Sequence, residues 1–174
     1  MKSIIAFFLF VLLSTITFAQ KMEKKTIEQR IAAIEDKMAI KFVVDEFSNL
    51  ADTKEIDKQV LLFTEDGTVT SISNGQPAAP LKGREQLKHA FSGFLSNFHT
   101  VYNQNGQQTI TLQGDKAEAV SYCRVVLIGK QNDKEMKTTI YTIYKDAFVK
   151  VAGRWLIRER TSNFVHREVE EVKQ

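Results

Sequence analysis

Three histidines and one cysteine are the side chains of this sequence best suited to exchange protons or to bind a metal near neutral pH. His89 lies between Lys88 and Ala90 in a helical pattern, and His166 lies in a charged segment near the C-terminus. Neither pairs with a second histidine or a carboxylate at metal-ligand spacing. The sequence also contains no triad pattern and no phosphate-binding glycine loop. It therefore predicts neither a metal site nor a cofactor.

Cys123 is the only cysteine, so it cannot form an internal disulfide. It lies in the apolar-rich segment 121–128, which contains no histidine to activate the thiol as a nucleophile. A lone cysteine on a strand is more often a small buried hydrophobic residue. We expect Cys123 to pack in the core rather than to catalyse a reaction.

Tyr122, Arg124 and Tyr144 are candidate ligand-binding residues on strand-like segments. Alternate side chains of a strand share a face. If the tyrosines face a binding site, their hydroxyls would orient a ligand oxygen. Otherwise their rings would fill the core or lie on the outer face of the sheet. The strands are apolar on both faces, which leaves both orientations open. Arg124, flanked by Cys123 and Val125, must reach the rim, pair with a carboxylate or meet an anionic ligand. Of these alternatives, we favour pairing with a carboxylate.

Amphipathic helices precede the strands. Apolar residues recur at steps of three and four along residues 26–50, which predicts one long helix. They are Ile27, Ile31, Ile34, Met38, Phe42, Phe47 and Leu50. Asp52 followed by Glu55 has the pattern of an N-capping box and predicts a second, shorter helix that ends at the turn 65–67.

A strand, a loop and a third helix follow. Residues 68–73 are rich in β-branched side chains, and residues 74–80 contain both prolines of the chain. The third helix is predicted from Gly83 to about Phe98. Phe94 and Phe98 belong to its aromatic face, which would pack in the core or line a pocket.

Long strands dominate the rest of the chain. Segments dense in Val, Ile, Thr, Tyr and Phe occupy residues 109–112, 117–128, 137–151 and 155–165. Turn-like segments separate them, so neighbouring strands are predicted to pair antiparallel. Helices followed by a meander of strands indicate an α+β fold, with a sheet curled around helices on one face.

The composition is that of a folded domain. The chain has 174 residues, of which 43% are hydrophobic and 26% charged, and its net charge is only +3. These values exclude a disordered tail, a collagen-like repeat and a disulfide scaffold. They also predict no nucleic-acid partner, because no dense basic face is present to bind a phosphate backbone.

The N-terminus has the pattern of a secretory signal. A basic start at residues 1–3 precedes an apolar run at 4–16 and small residues at 17–19. We predict cleavage after Ala19 and export to the periplasm or the medium. The alternative is a membrane anchor, but the run is shorter than the roughly 20 residues a spanning helix needs. The cleaved chain is predicted to have no membrane association.

Four groups of segments, taken in order, resemble a known family. They are Leu50 to Asp52 with Leu62 to Gly67; Leu81 to Glu85; Asn105 to Ile110 with Gly114 to Ala117; and Tyr144 to Asp146 with Val149-Lys150, Gly153 to Ile157 and Arg160. Across about residues 34–164 they resemble the SnoaL-like branch of the nuclear transport factor 2-like superfamily, which includes polyketide cyclase and scytalone dehydratase type domains. The resemblance implies a cone-shaped, curved antiparallel sheet packed on three N-terminal helices. It also implies an apolar cavity that binds a small apolar or aromatic molecule.

The resemblance sets the predicted domain boundaries. The SnoaL-like domain is expected at residues 34–166, after the signal at 1–19 and a leader at 20–33 that includes the start of the first helix. A charged C-terminal tail would occupy residues 167–174.

Asp52 stands where the resemblance implies a functional aspartate at the end of the first helix. A carboxylate at the mouth of an apolar cavity has its pKa raised by desolvation, which suits a general acid or base. The alternative is that Asp52 is the N-cap of the second helix, with Glu55 completing the box. Both interpretations remain open from the sequence.

The resemblance also implies a histidine partner for that aspartate, on the strand after the third helix. Counting back from residues 105–108 and from Gly114 places Asn103 at that position. An asparagine cannot shuttle a proton near neutral pH, so in this register the acid–base pair is broken. His99 lies four residues earlier and would reach the cavity if an extra turn shifted the strand.

Three functions follow from these residues. The first is a cofactor-independent lyase or isomerase that uses Asp52 with Asn103, Tyr144 and, in the shifted register, His99. The second is a non-catalytic protein that binds a small apolar ligand in the same cavity. The third is an interaction module that forms a homodimer through the exposed sheet face and keeps only a vestigial pocket.

Overall fold

The computed structural model describes residues 25–173. The predicted signal at 1–19 and most of the predicted leader lie outside the described residues. The chain divides into two compact units, one ending at Ala32 and the other beginning at Ala33. Within residues 25–173, no helix is both long enough and apolar enough to cross a membrane.

The three predicted helices are present. Helix α1 spans Ile27–Asp52, α2 spans Ile56–Gln59 and continues as a 3-10 turn at Val60–Leu62, and α3 spans Arg84–Leu95. Thus α3 ends three residues before the predicted Phe98. In α1, Ile40, Val43 and Val44 are buried in the core. Most of the apolar series that predicted this helix is exposed instead, namely Ile27, Ile31, Ile34, Met38 and Phe42.

The predicted capping box at the start of the second helix is wrong. Asp52 is the last residue of α1, and Glu55, at the N-cap of α2, makes no side-chain capping bond. The chain leaves α1 through a Schellman turn, in which the Glu55 amide donates to the Leu50 carbonyl (2.8 Å) and the Lys54 amide to the Ala51 carbonyl (3.1 Å). Lys54 has the left-handed φ of 57° that this turn requires. The Asp52 carboxylate is therefore free to bond elsewhere.

All seven strands of the described residues belong to one sheet. They are β1 (Phe63–Ser73), β2 (Gln76–Pro77), β3 (Leu81–Lys82), β4 (Thr100–Gln113), β5 (Lys116–Gln131), β6 (Lys134–Val151) and β7 (Arg154–Glu171). The strand order is β2-β1-β7-β6-β5-β4, and β3 pairs with β1. β4 to β7 form the predicted antiparallel meander. β1 pairs with β7 in parallel, so the sheet is mixed rather than purely antiparallel.

The α+β fold class is confirmed as three helices and a curled, open, mixed sheet. Several boundaries differ from the predictions, and β4 begins at Thr100, nine residues before the predicted start at 109. β1 begins at Phe63 and includes the predicted turn 65–67. β7 continues to Glu171, so most of the predicted charged tail at 167–174 is paired with β6.

An ion pair and a hydrogen bond attach the part of α1 beyond Ala33 to the sheet. Asp36 Oδ1 accepts from Lys150 Nζ at 2.7 Å and from Trp155 Nε1 at 2.9 Å. The bond from Lys150 holds the pKa of Asp36 below its usual value. Together with the apolar contacts of Ile40 and Val44, this attachment sets the helix against the concave face of the sheet.

Candidate functional site

A cavity of about 650 Å³ lies between the concave face of the sheet and the helices. Its volume falls within the range of small-molecule sites. The walls are mostly aromatic and aliphatic, and they include Phe47, Phe91, Phe94, Phe98, Leu127 and Tyr144. An apolar molecule entering this space would exchange water for hydrophobic contact on most sides.

Phe47 organises the aromatic wall. Its ring centroid lies 6.0 Å from that of Phe63, 5.9 Å from that of Phe91 and 6.2 Å from that of Tyr144, each in edge-to-face geometry. Edge-to-face ring pairs stabilise a fold by more than the burial of the same apolar area alone. The network holds α1, β1, α3 and β6 at fixed distances around the cavity.

A buried ion pair lies at the cavity wall. Arg160 donates from Nε to Asp146 Oδ1 at 2.7 Å and from Nη2 to Asp146 Oδ2 at 2.8 Å. The two side chains are 1% and 0% exposed. The guanidinium carbon also lies 4.1 Å from the Phe47 ring centroid and 4.3 Å from that of Tyr144. The pair is electrically balanced and oriented by two aromatic rings.

Three buried polar atoms have no hydrogen-bond partner among residues 25–173. They are Arg160 Nη1, Gln59 Oε1 and Thr142 Oγ1, and their residues all line the cavity. Gln59 Nε2 donates to the Phe47 carbonyl at 2.9 Å, so Oε1 is left as an acceptor. Buried polar groups without partners are rare because they cost free energy. The cavity therefore offers a donor, an acceptor and a hydroxyl to whatever occupies it.

Asp52 and Asn103, which the family landmarks predicted as partners, lie together. Asp52 Oδ1 accepts from the Asn103 amide nitrogen Nδ2 at 2.6 Å and from the Asn103 backbone nitrogen at 2.9 Å. Burial raises the pKa of the half-buried Asp52 carboxyl, against the lowering effect of these two bonds. Asn103 lines the cavity, and Asp52 lies behind it. The carboxylate thus orients an amide, and among the described residues no histidine is hydrogen-bonded to Asp52 or Asn103.

Three other predicted residues line the cavity, namely Tyr144, Phe94 and Phe98, whereas His99 does not. His99 is exposed, with Nδ1 3.0 Å from Thr100 Oγ1 and Nε2 bonded to Glu135. Its backbone amide already donates to the Ile128 carbonyl at 2.9 Å. The strand therefore starts without the extra turn that would have brought His99 inward.

Tyr122 and Arg124 lie on the outer face of the sheet, away from the cavity. Both are exposed, because Cys123 and Val125 on the same strand point inward. They line a shallow groove with Tyr141 on that outer face. Among the residues described, no carboxylate pairs with Arg124, so the favoured ion pair is not observed. Solvation at the surface replaces it.

Arg160 and Asp146 are site residues that were not predicted from the sequence. A signal was available, because both are charges within apolar strands, the feature that drew attention to Arg124. What brings them together is a one-residue bulge between Ala147 and Phe148, which shifts the register so that Asp146 faces Arg160. Without the bulge, Asp146 would face Glu159.

Cys123 is buried, as expected, with Sγ 3.7 Å from Asn103 Oδ1. Burial raises the pKa of its thiol to about 11.

At pH 8 we expect Ellman's reagent to react with the folded protein about 100-fold or more slowly than with the protein unfolded in urea, since two pKa units remove most of the thiolate. Comparable rates in the two states would mean that the Asn103 wall opens readily to solvent.

No cluster of three or more His, Cys, Asp or Glu side chains in residues 25–173 is arranged to hold a metal ion.

Comparisons with known proteins place the chain in context. A family model described as a SnoaL-like domain matches residues 32–161. A candidate scytalone dehydratase from Novosphingobium aromaticivorans is similar in structure, with a TM-score of 0.68 at 21% identity over 81% of this chain and 91% of that chain. No curated protein has significant sequence similarity to the chain.

Two further solved structures are similar in fold. A nuclear transport factor 2-like protein with a cystatin-like fold, also from Novosphingobium aromaticivorans, gives a TM-score of 0.63 at 18% identity, covering 83% of this chain and 92% of that chain. A hexachlorocyclohexane dehydrochlorinase of type 3 from Novosphingobium barchaimii gives 0.69 at 11% identity, covering 81% and 94%. Identities this low establish the fold alone.

Proposed function

The chain belongs to the SnoaL-like domain family of the nuclear transport factor 2-like superfamily, and from that premise we propose that its cavity binds a small, largely apolar molecule. The observation that carries the proposal is the aromatic cavity of about 650 Å³ with three unpartnered polar atoms at its wall. A ligand with an apolar body and one oxygen-bearing end satisfies both features. Water alone would satisfy only the polar atoms.

The polar end of the ligand is an uncharged oxygen. Arg160 Nη1 donates to it, but the charge of Arg160 is already balanced by Asp146. An anionic group would add an uncompensated charge in a mostly apolar space. A carbonyl or hydroxyl oxygen accepts the same bond without that cost, and a hydroxyl also donates to Gln59 Oε1.

Binding without chemistry is the function that the geometry supports best. Asn103 occupies the position at which a proton shuttle would be needed, and its amide is bonded to Asp52 and approached by the Cys123 thiol. An amide oriented on both sides suits fixed recognition of a ligand.

A second candidate is a lyase or isomerase with Asp52 as its single acid–base group. The observation in its favour is the half-buried Asp52 carboxyl, whose pKa burial raises. Two of the structural neighbours carry the names of elimination enzymes, a dehydratase and a dehydrochlorinase. In this function Asp52 would transfer the proton, which requires the Asn103 side chain to turn aside, because Asn103 and not Asp52 lines the cavity.

Tyr144→Phe tests the binding site. Burial raises the pKa of the Tyr144 hydroxyl, which keeps it protonated as a donor. The variant keeps the ring against Arg160 and removes only the hydroxyl, so we expect ligand affinity to fall about 3- to 10-fold. Native mass spectrometry of the exported protein identifies a retained ligand, and titration with that compound gives the affinity. If no compound is retained, titration with a panel of uncharged phenols and aryl ketones provides the measurement.

Tyr102→Phe is the matched control, because Tyr102 is exposed on the same sheet outside the cavity. Equal losses in both variants, or no binding by the wild type to any panel compound, would contradict the proposed cavity function.

Asp52→Asn separates binding from catalysis. The variant should keep ligand binding in both functions, whereas turnover should be lost only if Asp52 transfers a proton. Because the pKa of Asp52 is higher in the folded protein than its ordinary value of 3.8, the carboxyl stabilises the fold fully at pH values below 3.8. That stabilisation is lost as the pH rises through the folded pKa. The unfolding free energy of the wild type relative to Asp52→Asn should therefore decline as pH rises through the folded pKa. The opposite slope in urea titrations would mean that the bonds from Asn103 outweigh burial.

We also propose that the protein is exported after cleavage at Ala19 and acts in the periplasm or the medium. The N-terminal apolar run supports this proposal.

Dimerisation through the outer sheet face is a further proposal, supported by the exposed rings of Tyr102, Tyr122 and Tyr141. N-terminal sequencing of the exported protein tests the first proposal, and a monomeric Tyr122→Glu variant would support the second.

A further inference from the structure

Arg167 is a second arginine at the cavity, and its charge is not balanced. It borders the cavity and is exposed, and among residues 25–173 it forms no ion pair. Arg160, in contrast, is neutralised by Asp146. No aspartate or glutamate of the described chain lines the cavity. The arginine pair therefore leaves one uncompensated positive charge there, on Arg167.

A bulge in β7 turns Arg167 toward the cavity. β7 has one extra residue, Val165, where its register with β6 shifts. Beyond the shift, Arg167 lies opposite Ile140, which is buried and also lines the cavity. Opposite residues of paired strands share a face, so Arg167 lies on the cavity side. Without the extra residue, His166 would lie there, but its ring instead stacks on Tyr141 at the outer face.

The cavity is elongated along β7. Its closed end contains the buried Arg160, and its mouth contains Arg167 with Phe94, which is 50% exposed. Ser162 and Phe164 line the cavity between the two arginines. At about 3.3 Å per residue, less the bulge, the backbones of the two arginines lie about 20 Å apart. One extended molecule can therefore contact both.

We propose that the cavity binds an elongated monocarboxylic acid, with its carboxylate at Arg167 and an uncharged oxygen of its far end at Arg160. This assignment depends on the proposed function of the cavity and specifies its ligand. A carboxylate accepts two parallel hydrogen bonds from one guanidinium. Its single charge matches the one uncompensated arginine, whereas a phosphate monoester would bring nearly two charges.

The distance between the arginines sets the length of the acid. An extended chain advances about 1.2 Å per bond, so about 16 chain atoms cover 20 Å. Because both arginine side chains reach toward the ligand, we expect the best fit at about 12 to 16 chain atoms. The apolar walls between the two ends cover such a chain.

The mouth tolerates a charge that the closed end does not. Water still reaches the exposed Arg167, so a carboxylate beside it keeps part of its hydration. Attraction between two partly exposed charges is modest and is weakened by salt. We therefore expect the carboxylate to improve affinity several-fold, while the apolar chain contributes most of the binding.

Two probes that differ only in charge test the carboxylate site. They are ω-hydroxydodecanoic acid and its primary amide, titrated into the exported protein at pH 7 and low salt, below the concentrations at which they aggregate. The acid should bind about fivefold more tightly than the amide. Salt at about 0.5 M should remove most of this preference, since it screens exposed charges.

Arg167→Gln should weaken binding of the acid about fivefold and leave binding of the amide unchanged. Arg158→Gln is the matched control, because Arg158 is exposed on the same strand outside the cavity and the change removes the same charge. It should keep the full preference for the acid. Both variants should keep the wild-type melting temperature, since both arginines are exposed.

Dodecanoic acid tests whether the ligand reaches Arg160. It lacks the far hydroxyl, so it should bind several-fold more weakly than ω-hydroxydodecanoic acid. Between hexanoic acid and ω-hydroxyhexanoic acid, which are too short to reach both arginines, the hydroxyl should give no gain. An equal gain in the short and long pairs would overturn the two-ended placement.

The outcomes separate this assignment from the cavity function itself. Equal affinities for acid and amide, or equal losses in Arg167→Gln and Arg158→Gln, would overturn the carboxylate site and leave the cavity function in place. Binding of uncharged phenols or aryl ketones without binding of either dodecanoic probe would have the same meaning. Binding of no compound from either set would contradict both proposals.

Discussion

Replacing Arg160 with methionine is expected to lower the free energy of unfolding by about 3–5 kcal/mol, because it leaves the Asp146 carboxylate buried without a partner. Asp146 is 0% exposed and receives two of its hydrogen bonds from Arg160. Methionine keeps most of the apolar stem, so the loss comes from the missing charge rather than from an empty volume. Urea denaturation at pH 7 measures the change.

The matched control is Arg158→Met, which changes the same residue type on the same strand at an exposed position. It should change stability by no more than about 0.5 kcal/mol. A similar loss in both variants would show that β7 tolerates substitution poorly in general. A loss below about 1 kcal/mol in Arg160→Met would mean that water reaches Asp146 easily.

The double variant Arg160→Met with Asp146→Val separates stability from function. Removing both charges leaves no unpaired ion, so the double variant should be more stable than Arg160→Met alone. It should still bind ligand poorly, because the Nη1 donor is gone. Recovery of ligand binding along with stability would show that Arg160 serves the fold and not the ligand.

The local patterns of the sequence predicted the elements and part of the site. Helical periodicity located α1 and the aromatic face of α3, and turn signals located the three hairpins that join β4 to β7. The two-residue turns at Asn132-Asp133 and Ala152-Gly153 have positive φ at both residues, as tight hairpins require. The pairing of Asp52 with Asn103 followed from the family landmarks, since the residues lie 51 positions apart.

Local sequence patterns do not predict which distant strands pair or in which register they pair. The parallel pairing of β1 with β7 joins Val69 to Arg160, and no short-range period reports such a contact. The sequence also did not indicate which face of each strand points inward, because a bulge reverses the alternation of inward and outward side chains along a strand. One bulge, between Ala147 and Phe148, decides that Arg160 rather than Glu159 faces Asp146. A single residue of slip therefore determines the polar chemistry of the cavity.

Two phenylalanines that contact the same ring should respond differently to truncation. Phe63 and Phe91 both pack against Phe47, with ring centroids 6.0 Å and 5.9 Å away. Phe63 is 0% exposed within the core, whereas Phe91 is only partly buried and forms a wall of the cavity. Phe63→Ala should cost about 3–5 kcal/mol of unfolding free energy, since it opens a void among close-packed atoms. Phe91→Ala should cost about 1–2 kcal/mol, because its ring already borders a cavity.

The same comparison tests the cavity as a ligand site. Phe91→Ala enlarges the space between α3 and the sheet, so it should weaken binding of compounds that fit the wild type and improve binding of bulkier ones. Leu61→Ala, at an exposed position, should leave both stability and ligand size preference unchanged. Urea denaturation and a titration with uncharged aromatic compounds of graded size give the two readouts. If Phe91→Ala proved as costly as Phe63→Ala and left the size preference intact, the wall at Phe91 would belong to a closed core, and the ligand site would have to lie elsewhere.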